Sequence, residues 1–83
     1  MTDEARTAEQ RTQDFTAMGH SVDLINDIIA GNKDGEMDAS ERQDTVDRNA
    51  EHLQIMVAKT DWDGEDMTAS NAAITAGSGY TAS

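Results

Sequence analysis

This chain of 83 residues contains no cysteine, no proline and only one residue each of Trp, Tyr and Phe. Without cysteine it forms neither a disulfide framework nor a thiolate metal site. Leu, Ile, Val and Phe together number eleven, roughly 13% of the chain and below the ~20% that indicates disorder when net charge is high. The composition therefore leaves two alternatives, a thin helical bundle or a chain that folds on a partner. The helical periodicity described below favours order.

Basic residues are also few, since six Lys and Arg stand against 17 Asp and Glu, which gives a net charge of −11. Binding to nucleic-acid phosphates requires Lys and Arg, so we expect no direct nucleic-acid partner. No apolar run approaches the ~18 residues of a membrane span, and residues 1–6 are polar, unlike a signal peptide. We expect no membrane partner and a cytoplasmic location, or a virion location if the protein is encoded by a phage.

The clearest predicted element is a central helix from Asp38 to about Lys59. Its apolar residues recur at spacings of three and four and form a single stripe, Val46, Ala50, Leu53 and Val57. Ile55 lies about 180° from this stripe at the helical step of about 100° per residue. Ile55 is therefore expected to be exposed or to be covered by something other than the main core.

A first helix is predicted from residue 1 to about residue 30. Its apolar positions follow the same spacing, at Ala8, Phe15, Met18, Val22, Ile25 and Ile29. Thr2 or Asp3 can cap its start, and Gly31 suits the position just after its end. Gly19 costs about 1 kcal/mol in a helix interior, so the sequence predicts a kink or a break there.

A third, shorter helix is predicted from about Gly64 to Ala76. Asp63 reads as its N-cap, with Trp62 and Met67 as a hydrophobic staple across the cap. The three predicted helices make the fold class all-α, with a long antiparallel pair and the short third helix across it. We expect a single domain over residues 1–77 and a C-terminal tail over 78–83, which is loose unless Tyr80 anchors it.

The loop between the first two helices contains the motif Ala30-Gly-Asn-Lys-Asp-Gly-Glu-Met-Asp-Ala-Ser-Glu41. It resembles the twelve-residue EF-hand calcium loop, with a glycine at the sixth position and a glutamate at the twelfth. The resemblance implies Ca²⁺ as a cofactor, bound by Asn32, Asp34, Glu36 through its backbone carbonyl, Asp38 and Glu41. The first position is Ala30, where the EF-hand family has Asp, and no second loop pairs with this one.

The same residues have a second interpretation that needs no metal. A polar turn followed by a capping box of Asp38 and Glu41 produces this motif, and Ser40 with Gln43 is an equal alternative for the box. We favour the capping interpretation, because the calcium loop lacks the carboxylate at its first position.

Candidate catalytic residues are few. His20 and His52 are the only two histidines, and the sequence contains no serine elbow, phosphate-binding glycine loop or cysteine nucleophile. A histidine that stands alone on a helix is usually a surface or packing residue. We therefore expect no enzyme activity, no cofactor and no small-molecule substrate.

Several large apolar residues lie off the main stripes of the predicted helices. They exceed what a thin three-helix core needs, and they are Leu24, Ile28, Ile55, Trp62 and Tyr80. They either bury one another or form an interface, because aromatic and aliphatic residues cluster at binding hot spots. We interpret them as a surface that binds a larger protein or further copies of this chain.

Two segments carry a resemblance to known proteins, Asp47-Arg-Asn-Ala-Glu-His-Leu53 and Trp62-Asp-Gly-Glu-Asp-Met-Thr-Ala-Ser-Asn-Ala-Ala-Ile74. They look like small uncharacterised proteins of tailed phages, especially marine cyanophages. The resemblance implies a virion accessory protein or a small early protein, and it supplies no catalytic residues. Three functions follow: a structural interaction module, such as a capsid decoration or connector protein; a calcium-binding helix–loop–helix; and an acidic inhibitor of a host nucleic-acid-binding protein.

Overall fold

A computed structural model describes residues 6–62 and 64–83. Three helices make up this part of the chain, α1 (Ala8–Ile29), α2 (Ala39–Val57) and α3 (Thr68–Ser78). Arg6 lies just before α1 and bonds to Asp61, just after α2, so these two helices run antiparallel. Helix α3 packs against both of them. The predicted all-α, three-helix arrangement is confirmed.

Helix α1 begins later than predicted. Thr7 is its N-cap, and the Thr7 hydroxyl accepts from the backbone N–H of Gln10 while the Gln10 side chain accepts from the backbone N–H of Thr7, at 3.1 and 2.9 Å. This capping box sets the helix start at Ala8, so a start near residue 1 is wrong. The alternative caps, Thr2 and Asp3, lie outside the described residues.

The predicted break at Gly19 is wrong, because α1 is continuous through it. Glycine keeps its backbone N–H and leaves the hydrogen-bond ladder intact, and its cost of about 1 kcal/mol is only one of propensity. Met18 and Val22, on either side of Gly19, are both buried in the core. The burial of these neighbours stabilises the helix across the glycine.

The predicted role of Gly31 at the end of α1 is confirmed. Gly31 has φ +90°, which is costly for residues with a Cβ. Its N–H donates to the carbonyl of Ile28 at 3.1 Å, and the N–H of Asn32 donates to the carbonyl of Asp27 at 3.0 Å. These two bonds form a Schellman motif, which satisfies the last carbonyls of the helix.

The start of α2 is the predicted capping box. The Asp38 side chain accepts from the backbone N–H of Glu41 at 2.8 Å, and the Glu41 side chain accepts from the backbone N–H of Asp38 at 3.3 Å. The helix ends at Val57, slightly before the predicted end at Lys59.

Helix α3 begins at Thr68, so the predicted start at Gly64 is wrong. Gly64 has φ +89°, outside the helical region. Asp66 accepts from both the backbone N–H and the hydroxyl of Thr68, at 2.9 and 2.6 Å, and this local turn directly precedes the helix. The predicted N-cap, Asp63, lies outside the described residues.

The core is one cluster of buried side chains from all three helices and the α2–α3 loop: Met18, Val22, Ile25, Ile28, Val46, Ala50, Leu53, Met56, Trp62 and Ala73. Three of the four predicted stripe residues of α2 are among them, while Val57 is half-buried. At the end of α1 the core continues through Ile28, and Ile29 is 40% exposed, which corrects the predicted stripe.

The buried face of α3 consists of small residues, Ser70, Ala73 and Gly77. A Cβ on Gly77 would lie 3.3 Å from side-chain carbons of both Ala50 and Val46 on α2. Such a distance is shorter than ordinary van der Waals contact between carbons. The absence of a side chain at Gly77 therefore allows α3 to lie directly on α2.

The C-terminal tail is anchored along α2. The Gln43 side chain donates to the carbonyl of Tyr80 at 3.3 Å and accepts from the N–H of Ala82 at 2.8 Å. Arg42 donates to the carbonyl of Ser83 at 3.0 Å. Tyr80 is half-buried against the core, so it fulfils the condition set for an ordered tail.

Candidate functional site

The predicted partner-binding residues do not form one surface. Ile28 and Trp62 are 1% and 7% exposed, so both belong to the core and cannot present their side chains to a partner without unfolding. Leu24 and Tyr80 are half-buried against the same core. Only Ile55 is freely accessible, at 57% exposed, on the face of α2 that the helical spacing predicts.

Trp62 closes the end of the molecule where α1 begins and α2 ends. Its indole N–H donates to the carbonyl of Met56 at 2.8 Å, which satisfies a backbone group near the end of α2. Phe15 packs edge-on against the indole, with ring centroids 6.1 Å apart. The Arg6 guanidinium lies 4.2 Å from the ring centroid, in cation–π geometry.

Arg6 also connects two acidic residues across this end. Its guanidinium donates to both carboxylate oxygens of Asp61, and it donates to Asp14 at 2.7 Å. The side-chain bond from Arg6 is the main reason that the pKa of Asp61 lies well below its ordinary value. Sequence reasoning missed this cluster, because nothing local to Arg6 indicates a contact with residue 61. This cluster is a structural contact, because the charged side chains of Arg6, Asp14 and Asp61 bond to one another.

The side chains of the loop at residues 30–41 are engaged with their neighbours. Asp34 accepts from Arg42 at 3.3 Å, Asn32 donates to Asp27 at 3.3 Å, and Glu36 pairs with Lys33 at 3.2 Å. The remaining two predicted ligands, Asp38 and Glu41, form the capping box. Among the residues that the structure describes, no group of three or more His, Asp or Glu side chains is arranged to hold a metal ion.

The two histidines lie on different helices, His20 on α1 and His52 on α2, and both are exposed. Neither histidine lines the two clefts described next.

A small cleft lies between α1 and the first turn of α3. Its volume is about 210 Å³, and its wall is almost entirely apolar. The lining residues come from four α1 positions, from the turn before α3 and from the start of α3: Phe15, Gly19, Val22, Asp23, Asp66, Ala69 and Ser70. The sequence contains one signal of this cleft, which is Gly19 within an otherwise regular helical pattern. We interpreted this glycine as the site of a kink or a break.

A second, shallower groove runs between α2 and the end of α3. It is largely polar and is lined by Gln43, Asp47, Ala50, Glu51, Gln54, Gly77, Ser78 and Tyr80. The hydroxyl of Tyr80 is buried, with no hydrogen-bond partner in the described part of the chain. The openness of this groove and its carboxylates make it part of the solvated acidic surface rather than an enclosed site.

The charged side chains divide into two groups. Ion pairs with carboxylates within the described ranges are formed by Arg6, Lys33, Arg42 and Arg48. Arg11 donates to the backbone carbonyl of Arg6 at 2.7 Å. By contrast, four exposed carboxylates in the described ranges have neither an ion pair nor a hydrogen bond: Glu9, Asp23, Glu51 and Glu65. The surface therefore offers unpaired negative charge and little free positive charge.

Comparison with known proteins identifies no relative of this chain. No protein-family model matches it, and no curated protein and no solved structure matches it either. The three helices, within the described ranges, include none that is long and apolar enough to cross a membrane. The functional interpretation therefore depends on the chain's own residues.

Proposed function

We propose that this protein is a non-enzymatic, acidic helical interaction module that binds a larger protein through a basic surface of that partner. The observation that carries the proposal is the division of charge. The chain's cations are mostly engaged with its own carboxylates, while exposed carboxylates such as Asp23 and Glu51 have no intramolecular partner. A net charge of −11 opposes self-association and favours encounter with a cationic surface.

The resemblance of residues 47–53 and 62–74 to small phage proteins supports a more specific version of this proposal. In that version the module is an accessory protein of a virion, either a capsid decoration or a connector. An inhibitor that covers the basic surface of a host nucleic-acid-binding protein would use the same charge, and the identity of the partner distinguishes these roles.

The test begins with chemical cross-linking of the protein in its native source, followed by mass spectrometry to identify the partner. The purified partner is then titrated calorimetrically with the wild type and with a variant that carries Glu9→Gln, Asp23→Asn, Glu51→Gln and Glu65→Gln. These four carboxylates are exposed and make no hydrogen bond or ion pair within the described part of the chain, so the variant should remain folded. We expect binding about tenfold weaker or more, and a reduced dependence on salt.

Two results would contradict the proposal. The first is a wild type that sediments only as a monomer or as a homo-oligomer and cross-links to no other protein. The second is a partner whose affinity is the same for the wild type and the four-site variant at low salt. Ile55→Asp is a companion variant that tests the apolar part of the exposed surface of α2. It changes the one large aliphatic residue exposed on this helix and leaves the core unchanged.

A further inference from the structure

Gly19 lines the cleft between α1 and α3 and contributes no side chain to it. A Cβ on Gly19 would meet no atom within 4 Å, so packing does not require glycine at this position. Glycine in a helix interior is nevertheless less favourable than alanine. Gly19 therefore lowers helix stability without being required by packing, and the space beside it is open.

The size of the cleft limits what can occupy it. Its volume of about 210 Å³ is smaller than the roughly 300–1,000 Å³ of pockets that take drug-sized ligands. An apolar cavity of about 150 Å³ is nevertheless large enough to hold benzene. The cleft therefore fits one large side chain, and the ring of Phe15 in its wall favours an aromatic one.

Two carboxylates border the apolar wall, one on each of the helices that form it. Asp23 is exposed on α1 and has no hydrogen bond or ion pair. Asp66 is exposed before α3, and bonds from the hydroxyl and the backbone N–H of Thr68 lower its pKa. The cleft therefore has one carboxylate on each of its two sides, at an opening that is otherwise apolar.

This pattern matches a partner segment in which an aromatic residue is flanked by cations. We infer that the cleft between Gly19 and Ala69 binds an aromatic side chain from a lysine- or arginine-rich segment of another protein, with Asp23 and Asp66 pairing with the flanking cations. The inference rests on the proposed function, which supplies the basic partner, and it assigns the site of contact.

Three short peptides separate the two components of recognition: acetyl-Lys-Phe-Lys-amide, acetyl-Lys-Ala-Lys-amide and acetyl-Glu-Phe-Glu-amide. Each is titrated into the ¹⁵N-labelled full chain, and amide shifts are followed by NMR. We expect the Lys-Phe-Lys peptide to shift the amides of Gly19, Ala69 and Ser70, with an affinity about tenfold higher than that of Lys-Ala-Lys, because only the former buries a ring. The Glu-Phe-Glu peptide should not bind, because its charges repel the two carboxylates.

Variants of the cleft test its apolar part. Gly19→Leu fills the space from α1, and Ala69→Leu fills it from α3, so each should weaken Lys-Phe-Lys binding about tenfold. The matched control is Ala17→Leu, an exposed position on α1 that does not line the cleft. Melting curves of all three variants show whether each is folded, and the two filling variants approach the cleft from independent helices.

A second pair of variants tests the charge. Asp23→Asn should weaken Lys-Phe-Lys binding about two- to fivefold, as expected for loss of an exposed ion pair. Glu51→Gln removes one equally unpaired carboxylate that lies on α2 and lines the other groove. Glu51→Gln should leave the shifts at Gly19, Ala69 and Ser70 unchanged.

The outcomes that overturn the inference differ from those that overturn the proposed function. Equal binding of Lys-Phe-Lys and Lys-Ala-Lys, or binding that neither filling variant weakens, would show that the cleft does not bind the aromatic ring. Either result leaves the proposed basic partner unaffected. Equal binding of Glu-Phe-Glu removes the role of the carboxylates. Shifts at the cleft that depend on protein concentration alone identify a second copy as the occupant and overturn the inference. The absence of binding by any peptide also rejects the cleft, whereas the native partner titration decides the proposed function separately.

Discussion

Two glycines lie inside helices of this molecule, and their surroundings differ completely. Gly77 on α3 faces α2, where an added Cβ would come within 3.3 Å of Val46 and Ala50. Gly19 on α1 faces the cleft, where an added Cβ would meet nothing within 4 Å. In the first region the missing side chain allows two helices to touch, whereas in the second it borders an open space between two helices.

The contrast shows that a helical glycine in a sequence can indicate either close packing or open space. Near its C-terminal end, α3 also approaches Ile25 of α1, which lies 4.0 Å from a Cβ placed on Gly77. At its N-terminal end, α3 and α1 border the cleft through Ser70 and Gly19. The separation of the two helices therefore changes along the length of α3.

The largest expected effect comes from truncation of a fully buried side chain in the core. Leu53 is fully buried in α2, and Leu53→Ala should lower the free energy of unfolding by about 2–5 kcal/mol, because it leaves a cavity in a small core. Urea unfolding followed by circular dichroism measures the loss. Ile55→Ala on the exposed face of the same helix is the control and should change stability by less than about 0.5 kcal/mol. Equal losses from the two variants would contradict the packing of α2.

The next effect tests the contact at Gly77. Gly77→Val should lower the free energy of unfolding by about 1–3 kcal/mol, because the added methyl groups force α3 away from Val46 and Ala50. Ala76→Val is the comparison at the neighbouring exposed position of α3, where valine lowers helix propensity but replaces no buried residue. If both variants unfold at the same urea concentration, the close approach of α3 and α2 is not a constraint.

The cleft region should respond in the opposite direction. Gly19→Ala should raise the free energy of unfolding by about 0.5–1 kcal/mol, because alanine favours the helix and no neighbour is displaced. The thermal midpoint measures the gain, and Ala17→Gly, at an exposed position two residues earlier on α1, should produce a loss of similar size. A Gly19→Ala variant that is less stable than the wild type would show that the space at Gly19 is not open.

The smallest effect concerns the aromatic wall of the cleft at low pH. Phe15 packs on Trp62, whose indole lies beside Arg6, and Arg6 holds the Asp61 carboxylate in its charged form. The pKa of Asp61 is lowered from 3.8, so its stabilising contribution is present above pH 3.8 and is lost as the pH falls through the lower folded value. Asp61→Asn should therefore be less stable than the wild type at neutral pH, and the difference should shrink in strong acid. Asp44→Asn, at an exposed ion pair with Arg48, should show little difference at any pH.

Local signals in the sequence predicted the end of α1, the start of α2 and the apolar stripe of α2. Gly31 ends α1, the Asp38–Glu41 box begins α2, and Leu53 is buried, all as expected. Each of these features depends on residues within one or two helical turns of it, so a short stretch of sequence is enough to predict it. The Thr7–Gln10 box is equally local and was overlooked because Thr2 and Asp3, nearer the terminus, also suit a cap.

The remaining features depend on contacts between distant residues. Trp62 was interpreted as an interface residue, but the fold buries it between Phe15 and Arg6, which lie more than forty positions earlier. The start of α3 was placed too early, because the sequence pattern suggested a cap at Asp63 and periodicity does not reveal the turn at Gly64 and Asp66. The cleft depends on the tilt of α3 against α1, and no pattern within either helix alone determines that angle.

Trp62 gives the molecule an internal optical reporter of one region. It is the chain's only tryptophan, and it is buried with its indole N–H bonded to a carbonyl. Its fluorescence should therefore be shifted to shorter wavelength in the folded chain and should move to longer wavelength when water reaches the ring. Because Trp62 lies where α1 begins and α2 ends, its emission reports the opening of that end of the molecule. Far-ultraviolet circular dichroism reports the helical content of all three helices. Comparison of the two signals during urea unfolding reveals whether that end opens before the helices unfold.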